Sequence, residues 1–424
     1  MMDMSNYTNA IKKLYGTDPG VLEKQTKRYQ QLDEEFLYHF DEHERFFFSA
    51  PGRTELSGNH TDHNNGRVLA ASVNLDSIAV ASKNNTRNII LHSNGFDLPF
   101  KVDLNLLEVD EKEEGSTTAL IRGIASRFVQ LGFQIGGFSA CMSSDVLPGS
   151  GLSSSASVEV LIGSIFNHLF NDGKIPAQTI ANIGQYAENV YFGKPCGLMD
   201  QMACAIGGVI AIDFEDLQNP IVEKIEFDFE EHDHSMVIVD TGGSHVDLTT
   251  DYASIPEEMN QVAGYFGKKV LREVSEEQFT NSLSSLRESV SDRAVLRAMH
   301  FFAENKRVEL QLEKLRDNDF SGFLSIINKS GNSSFRWLQN IYSTKDTSGQ
   351  GVTLALALTE KYITEIGAGA CRVHGGGFAG TIQVFIPTKH LNNYIKIVEE
   401  IFGKGCALVL SIREQGALKL NNKV

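Results

Sequence analysis

Hydrophobic and polar positions along the chain predict strands in its first part. Gly20 to His39 has the charged, helical character of a segment ahead of the main body. From Arg45 the pattern changes to short apolar runs, FFFSA, SIAVAS and NIILHS, which are typical of strands. We expect the first strand to end at Pro51 and Gly52, because proline and glycine together mark a turn.

The middle of the chain predicts two helices and a strand. After a glycine-serine turn that follows Pro148, apolar residues recur at spacings of three and four, at Val158, Leu161, Ile162, Ile165, Phe166 and Leu169. A second amphipathic stretch runs from Pro176 to Tyr191, with its proline near the start. GGVIAIDF predicts a strand, and the acidic, turn-rich stretch after it, to about Ser235, is a candidate domain boundary.

Helical patterns dominate the second half, from Pro256 to Gly367, between the predicted strands MVIVD and TIQVFIP. One more helix, a strand and a polar tail follow. Strands grouped early and a helix-rich second half closed by strands indicate two α+β domains. We expect a helical extension over 1–44, an N-terminal domain over 45–215 and a C-terminal domain over 230–424.

The composition narrows the class of function. The chain has 424 residues, with 38 Lys and Arg against 54 Asp and Glu, a net charge of −16. This excess disfavours nucleic-acid and membrane partners, and an anionic ligand would need backbone amides and a few local cations. No apolar run reaches about 18 residues, no signal peptide is visible, and the five cysteines are widely spaced. We therefore expect a cytoplasmic protein with free thiols.

One glycine-rich segment has the character of a phosphate-binding turn. PGSGLSSSAS, from Pro148 to Ser157, stands at the start of a predicted helix. Its glycines let the backbone approach a ligand, the helix N-terminus adds partial positive charge, and the serines offer hydroxyls to phosphate or Mg²⁺. A glycine turn with a serine N-cap is the alternative. The P-loop pattern G-x-x-x-x-G-K-[ST] does not occur.

Two further segments concentrate polar residues or glycine. PGRTELSGNHTDHN, from Pro51 to Asn64, places an Arg, two His and an Asp in a polar turn that suits a polyhydroxylated ligand. A solvated loop and a metal site on His-x-Asp-His are the alternatives. RVHGGGFAGT, from Arg372 to Thr381, has three successive glycines, which indicate close approach to a ligand or to another backbone element. A flexible hairpin is the alternative.

Asp200 is the candidate catalytic carboxylate. It stands in GLMDQM, among small and apolar residues that predict partial burial. A buried carboxylate is costly unless it is paired or hydrogen-bonded. Catalysis beside a cation is one interpretation, and structural capping is the other.

In this order the motifs resemble those of the GHMP small-molecule kinases, and in detail those of galactokinases. The first family signature, Gly-Arg-x-Asn-Leu-Ile-Gly-Glu-His-Thr-Asp-Tyr, is matched at Gly52, Arg53, Leu56, Gly58, His60, Thr61 and Asp62. The second motif matches from Gly151 to Ser157, and the catalytic segment matches at GLMDQ. The third motif matches at Arg372, Gly375, Gly376, Gly377, Phe378 and Gly380.

The resemblance implies a two-domain GHMP kinase fold, with the active site in the cleft between the domains. It implies phosphorylation of galactose by ATP at the anomeric C1 hydroxyl, giving galactose 1-phosphate and ADP. Asp200 would be the base, or the group that polarises this hydroxyl, and Arg53 would keep Asp200 ionised and stabilise the transferring phosphoryl group.

The resemblance also implies the binding residues. The sugar would be bound by Asn59, His60, Asp62, Gly197 and Tyr252. The phosphates of ATP would be bound by Gly149, Ser150, Gly151, Leu152, Ser153, Ser154, Ser155 and Gly376. Mg²⁺ would be held by the hard oxygen ligands of Ser154, Ser155 and Glu188.

The sugar motif departs from the family pattern. Asn59 stands where the family has Glu, His63 where it has Tyr, and Glu55 where it has Asn. Asn59 would remove a negative charge from the place where C6 of the sugar would lie. A kinase for a related sugar such as galacturonate is therefore one alternative, and a non-catalytic sensor that binds ATP and sugar is another. We expect a monomer.

Overall fold

The computed structural model describes residues 2–41, 44–146, 149, 151–227, 229–243 and 248–421. The strands among these residues are β1 Phe46–Ser57, β2 Arg67–Lys83, β3 Asn88–Ser93, β4 Phe100–Asp103, β5 Phe138–Ser144, β6 Val209–Asp213, β7 Ile221–Ile225, β8 His234–Asp240, β9 Ala370–Val373, β10 Thr381–Pro387, β11 Ala407–Leu410 and β12 Leu418–Lys419. The α-helices are α1 Thr8–Tyr15, α2 Pro19–His39, α3 Thr117–Gln130, α4 Ser154–Phe170, α5 Ala177–Ala187, α6 Met199–Ile206, α7 Thr249–Tyr265, α8 Glu276–Asn281, α9 Leu283–Ser289, α10 Asp292–Arg316, α11 Phe320–Ser333, α12 Gly351–Ile366 and α13 Leu391–Phe402.

The strand β2 organises the larger of two sheets. It pairs antiparallel with β1 along one side, and with β5 and β6 along the other. The strand order is β12-β1-β2-β5-β3-β4, with β6 and β7 continuing from β2. The pairing of β3 with β5 is parallel, so the sheet is mixed. Since β7 and β12 both belong to this sheet, it draws on chain beyond residue 215, and the predicted domain bounds stay a prediction.

The strand β1 does not end where the sequence predicts. It continues through Pro51 and Gly52 to Ser57, with a shift in register between Pro51 and Arg53. Proline is tolerated here because β12 pairs only with Phe48 and Ser49, so no partner strand needs the missing N–H at position 51. The predicted turn at Pro51 and Gly52 is wrong, and Arg53 lies in a strand.

The helix α4 is the central helix packed on the larger sheet. Its periodicity predicts one apolar face, but Glu159, Gly163 and Asn167 are buried as well. The reason is that α4 contacts α3, α5 and α6 as well as β1 and β2. Nearly every face of α4 is therefore buried, and its N-terminus can carry function without the helix being exposed.

The second sheet has the order β11-β8-β10-β9 and is antiparallel. Its core with α12 and α13 includes Val237, Val384 and Tyr394. A separate apolar cluster joins residues of the larger sheet, such as Leu69, to Ile238 of the second sheet and to the helices α10 and α11. The two sheets are thus packed through a shared core.

The N-terminal extension packs on the larger sheet. Tyr29 and Phe36 of α2 are fully buried in a cluster with Phe47 and Val80, which confirms the predicted helix over Gly20 to His39. All five cysteines are free thiols. Among the helices that the structure describes, none is both long enough and apolar enough to cross a membrane.

Candidate active site

Three of the predicted segments and the loop before α6 meet at one cavity of about 240 Å³. The cavity is lined by Arg53, Gly149, Gly151, Ser153, Ser154, Ser155, Lys194, Asp200, His374, Gly375, Gly376, Gly377, Ala379 and Thr381. Leu152 is buried behind them, and its carbonyl accepts a hydrogen bond from the backbone N–H of Arg53 at 3.0 Å. The remaining predicted phosphate-binding residue, Ser150, lies outside the described residues.

Arg53 and Asp200 form a two-point ion pair at the wall of this cavity. Nε of Arg53 donates to Oδ1 of Asp200 at 2.6 Å, and Nη2 donates to Oδ2 at 2.7 Å. The remaining donor, Nη1, donates to the carbonyl of Gly151 at 2.6 Å. This bond connects β1 to the glycine- and serine-rich segment 148–157, which we call the phosphate segment. The side chain of Asp200 is about 30% exposed, whereas that of Arg53 is only 9% exposed. Both residues line the cavity, and the carboxylate is the more exposed of the two.

The surroundings keep Asp200 ionised. Burial alone would raise its pKa, but the charge of Arg53, the hydrogen bonds from Arg53 and Ser153 and the charge of Lys194 together outweigh burial. The net effect lowers the pKa of Asp200 below its ordinary value. Asp200 also lies in the first turn of α6, where the helix dipole favours an anion.

The phosphate segment presents an uncapped helix to the cavity. Ser153 precedes α4 with a left-handed φ of 61°, and its hydroxyl donates to Asp200. In the described residues no side chain caps the first amides of α4, and such a helix N-terminus is a binding site for anions. Gly151 has to be glycine, because a Cβ there would lie 2.7 Å from Oγ1 of Thr381 and 2.8 Å from Nδ1 of His374.

The three successive glycines 375–377, which we call the glycine run, connect the cavity to the predicted sugar residues. The carbonyl of Gly376 accepts a hydrogen bond from Nε2 of His60 at 2.9 Å, and Tyr252 donates through its hydroxyl to the carbonyl of Gly377 at 2.9 Å. Burial and the nearby His63 lower the pKa of His60 to about 4. His60 is therefore a neutral imidazole at pH 7, which suits hydrogen bonding to a neutral ligand.

Asp62 and Gly197 are in direct contact. A Cβ on Gly197 would lie 2.0 Å from Oδ2 of Asp62, so a larger residue at this position would displace the Asp62 carboxylate. The other oxygen of Asp62 accepts from the backbone N–H of His63 at 2.9 Å. Since Gly197 precedes Asp200 by three residues, Asp62 lies beside the segment that carries the catalytic candidate.

None of the predicted sugar residues His60, Asp62, Gly197 and Tyr252 is among the residues that line the cavity, and neither is Asn59. Its side chain is buried, and its Nδ2 donates to Oε1 of Glu55 at 3.0 Å and to the carbonyl of Gly375 at 2.7 Å. Its Oδ1 accepts from Nδ2 of Asn340 at 2.8 Å. Glu55 in turn forms a buried ion pair with Arg372 at 2.7 Å. The carboxylate of Glu55 thus lies one hydrogen bond away from the amide of Asn59.

Oxygen ligands suited to Mg²⁺ lie at the start of α4. Oγ of Ser155 donates to Oε1 of Glu188 at 3.1 Å, and Ser154 lines the same wall. Oε2 of Glu188 accepts from Nε2 of Gln201 at 2.9 Å, and the same amide donates to Oε2 of Glu159 at 3.0 Å. Hydroxyl and carboxylate oxygens are the hard ligands that Mg²⁺ prefers, so this donor set fits the metal.

The metal site considered for His-x-Asp-His gains no support. In the part of the chain that the structure describes, no three His, Cys, Asp or Glu side chains are grouped as a metal cluster would require. The ring centres of His60 and His63 lie 6.0 Å apart.

Lys194 and His374 are lining residues that the sequence reasoning missed. Nζ of Lys194 lies 3.1 Å from Oε1 of Glu188. His374 is buried between Thr54 and Thr381, each 3.0 Å from one of its ring nitrogens, and burial lowers its pKa well below the ordinary value. Lys194 stands six residues before Asp200, but nothing local indicates that its side chain turns back toward position 188.

Comparison with known proteins identifies the family that this chain resembles. The model for the GHMP kinases N terminal domain matches residues 119–208, and the galactokinase galactose-binding signature matches residues 34–83. The galactokinase of Actinobacillus pleuropneumoniae serotype 5b is 30% identical over 363 residues, which cover 84% of this chain and 88% of that protein. The galactokinase of Clostridium tetani is 27% identical over 385 residues, which cover 88% and 92%.

Solved structures share the fold. The galactokinase of Lactococcus lactis, crystallised with galactose, matches with a TM-score of 0.78 and 24% identity over 91% of this chain and 98% of that one. The mevalonate kinase of Methanococcus jannaschii matches with a TM-score of 0.61 and 16% identity over 88% and 99%. These likenesses confirm the predicted two-domain GHMP kinase fold, and with the sequence relatives they show that the chain belongs to the galactokinase family.

Proposed function

We propose that this protein phosphorylates galactose at the anomeric C1 hydroxyl, using ATP and giving galactose 1-phosphate and ADP. Membership of the galactokinase family makes it a sugar kinase that uses ATP. The main observation in support of this specific reaction is the pairing of Arg53 with Asp200. The pair lies at a cavity whose other walls are the phosphate segment and the glycine run.

Asp200 acts on the acceptor hydroxyl by position and charge. Because its pKa is lowered, it is a weak base toward a free alcohol, but it orients and polarises the hydroxyl from the start. In a loose phosphoryl-transfer transition state the hydroxyl proton becomes acidic only as the new P–O bond forms, so a weak base suffices late in the reaction. Arg53 keeps Asp200 charged and stabilises the negative charge on the transferring group.

The nucleotide phosphates are bound by the amides at the start of α4 and by the glycine segment. Ser154, Ser155 and Glu188 would hold Mg²⁺, which when bound neutralises charge on the phosphates. Backbone amides, one metal ion and the charge of Arg53 share this task. An enzyme with a net charge of −16 can therefore bind ATP without a basic surface.

The sugar is bound by His60, Asp62, Gly197 and Tyr252, while Asn59 supports the site from behind through the carbonyl of Gly375. The alternative substrate, galacturonate, depends on Asn59 facing C6 of the sugar, and its buried amide gives that alternative no support. The juxtaposition of Ser153, Arg53 and Asp200 favours catalysis over a purely sensing role.

The test is a sugar panel with the purified protein, ATP and Mg²⁺, following ADP by a coupled assay. The panel contains galactose, galactosamine, arabinose and galacturonate. We expect galactose to give the highest kcat/KM and a product phosphorylated at C1 by ³¹P NMR. Preference for galacturonate would overturn the proposed substrate, and absence of turnover with every sugar would overturn the proposed activity.

A further inference from the structure

Lys194 is a cation in the cavity that the proposed mechanism does not use. It stands in the loop between the turn Glu188–Phe192 and α6, and its side chain is about 61% exposed. Its ammonium group nevertheless faces inward, since Nζ lies 3.1 Å from Oε1 of Glu188 and the residue lines the same cavity as Ser155 and Asp200.

The other guanidinium or ammonium group among the described lining residues is already committed. Arg53 uses Nε and Nη2 on Asp200 and Nη1 on the carbonyl of Gly151, and its side chain is only 9% exposed. Its donors are therefore engaged within the protein, whereas its positive charge still acts across the cavity. Lys194 differs, because its partner Glu188 is the carboxylate proposed to hold Mg²⁺. A divalent cation at Glu188 would release the ammonium group next to the phosphates.

The position of Lys194 corresponds to the transfer end of the cavity. Its charge is close enough to Asp200 to contribute to the lowered pKa of that carboxylate. The group that moves must lie between the nucleotide and the hydroxyl held by Asp200, and in ATP that group is the γ-phosphate. An ammonium group is a strong point-charge partner for a terminal phosphate.

From these contacts we infer that Lys194 binds the γ-phosphate of ATP, and that Glu188 holds the lysine until a divalent cation replaces it. The inference rests on the proposed function, since it assumes that ATP occupies this cavity. Lys194 would thus exchange partners: it pairs with Glu188 in the free protein, and it pairs with the γ-phosphate once the metal ion and the nucleotide are bound.

A calorimetric titration tests this without any sugar. Wild type, Lys194→Met and Lys194→Arg are titrated with Mg·ADP and with the Mg complex of the β,γ-imido analogue of ATP. We expect Lys194→Met to weaken the triphosphate analogue about 10-fold and ADP less than about 2-fold, and Lys194→Arg to recover most of the difference. Equal weakening of both nucleotides, or no weakening, would overturn the inference.

A second measurement follows the metal alone. Mn²⁺ binding to the protein without nucleotide, monitored by electron paramagnetic resonance, should tighten several-fold in Lys194→Met, because the competing ammonium group is gone. Unchanged or weaker Mn²⁺ binding would count against the exchange at Glu188.

The matched control is Lys174→Met, which removes an exposed lysine whose Nζ also lies 3.1 Å from a carboxylate, that of Asp172. It should leave both nucleotides and Mn²⁺ unaffected. Because neither titration needs phosphate transfer, a failure of this inference is distinguishable from a failure of the sugar panel.

Discussion

Two arginine–carboxylate pairs lie within a few residues of each other on β1, and they differ in what they can reach. Arg53 pairs with Asp200 at 2.6 Å, and Glu55 pairs with Arg372 at 2.7 Å. Asp200 is about 30% exposed to the cavity, whereas Glu55 and Arg372 are 5% and 0% exposed. The same chemistry therefore places an accessible carboxylate at one position and an internal support at the other, and access to the cavity makes the difference.

The buried pair is also linked by hydrogen bonds to Asn59, one of the predicted sugar-binding residues. Glu55 accepts from Asn59, and Asn59 donates to the carbonyl of Gly375 at the start of the glycine run. Breaking the exposed pair should therefore damage turnover most, while breaking the buried pair should damage stability most.

Asp200→Asn gives the largest expected effect. It keeps the size of the side chain but removes the charge that polarises the hydroxyl, so kcat should fall about 1,000-fold or more. The measurement is ADP formation with galactose, together with calorimetric binding of Mg·ADP, which should stay within a few-fold of wild type. Residual activity near that of wild type would remove Asp200 from the mechanism.

Glu55→Gln should lower the free energy of unfolding more than it lowers kcat. It leaves the buried guanidinium of Arg372 without a counter-charge, and loss of one partner from a buried pair costs about 3 kcal/mol or more. Denaturant unfolding measures this, and kcat of the folded fraction should change far less than in Asp200→Asn. The control is the double exchange Glu55→Asn with Asn59→Glu, which restores the family arrangement and should recover part of the lost stability. If Glu55→Gln were as stable as wild type, the supporting role of the pair would be wrong.

Glu188→Gln tests a carboxylate that combines features of the two pairs. Glu188 is buried, as Glu55 is, but it contacts the cavity-lining residues Ser155 and Lys194. We expect the Mg²⁺ concentration for half-maximal activity to rise about 10-fold or more, because a neutral amide is a weaker ligand for Mg²⁺. The KM for galactose should change little. Its measurement is a Mg²⁺ titration at saturating sugar, and a selective loss of sugar affinity would contradict the metal assignment.

His300 extends the comparison to pH, with the smallest expected effect. This buried histidine lies 2.9 Å from the carbonyl of Asn59, and burial lowers its pKa to about 4. Below the ordinary pKa of about 6.5 the unfolded chain gains a proton that the folded protein refuses, so stability is present above pH 6.5 and is lost as the pH falls toward 4.

Urea unfolding at pH 7 and pH 5 measures this loss. His300→Gln cannot titrate and should lose less stability between these pH values than wild type, by about 2 kcal/mol. Equal losses in the two proteins would show that His300 does not couple folding to protons in this range.

Local patterns made much of this protein predictable. The helix over Gly20 to His39 and the strands β1, β2, β3 and β6 follow from the hydrophobic pattern, whereas β4, β5, β7 and β12 of the same sheet do not. The order of the four motifs indicates the family. Arg53 and Asp200 could be named as partners because both match motif positions. The turn predicted from Pro51 and Gly52 is wrong, because incomplete pairing on one side of β1 allows the strand to continue through them.

Only the tertiary structure shows which side chains are buried and which residues far apart in sequence are in contact. The sequence by itself determined the element types, the family and the residue types available for chemistry, since periodicity and motif spacing are local properties. It could not determine that Asn59 is internal, that Glu55 meets Arg372 across 317 positions, or that Lys194 turns toward Glu188. Those facts depend on which distant segments pack together, and the same polar side chain is a ligand or a support according to the space left beside it.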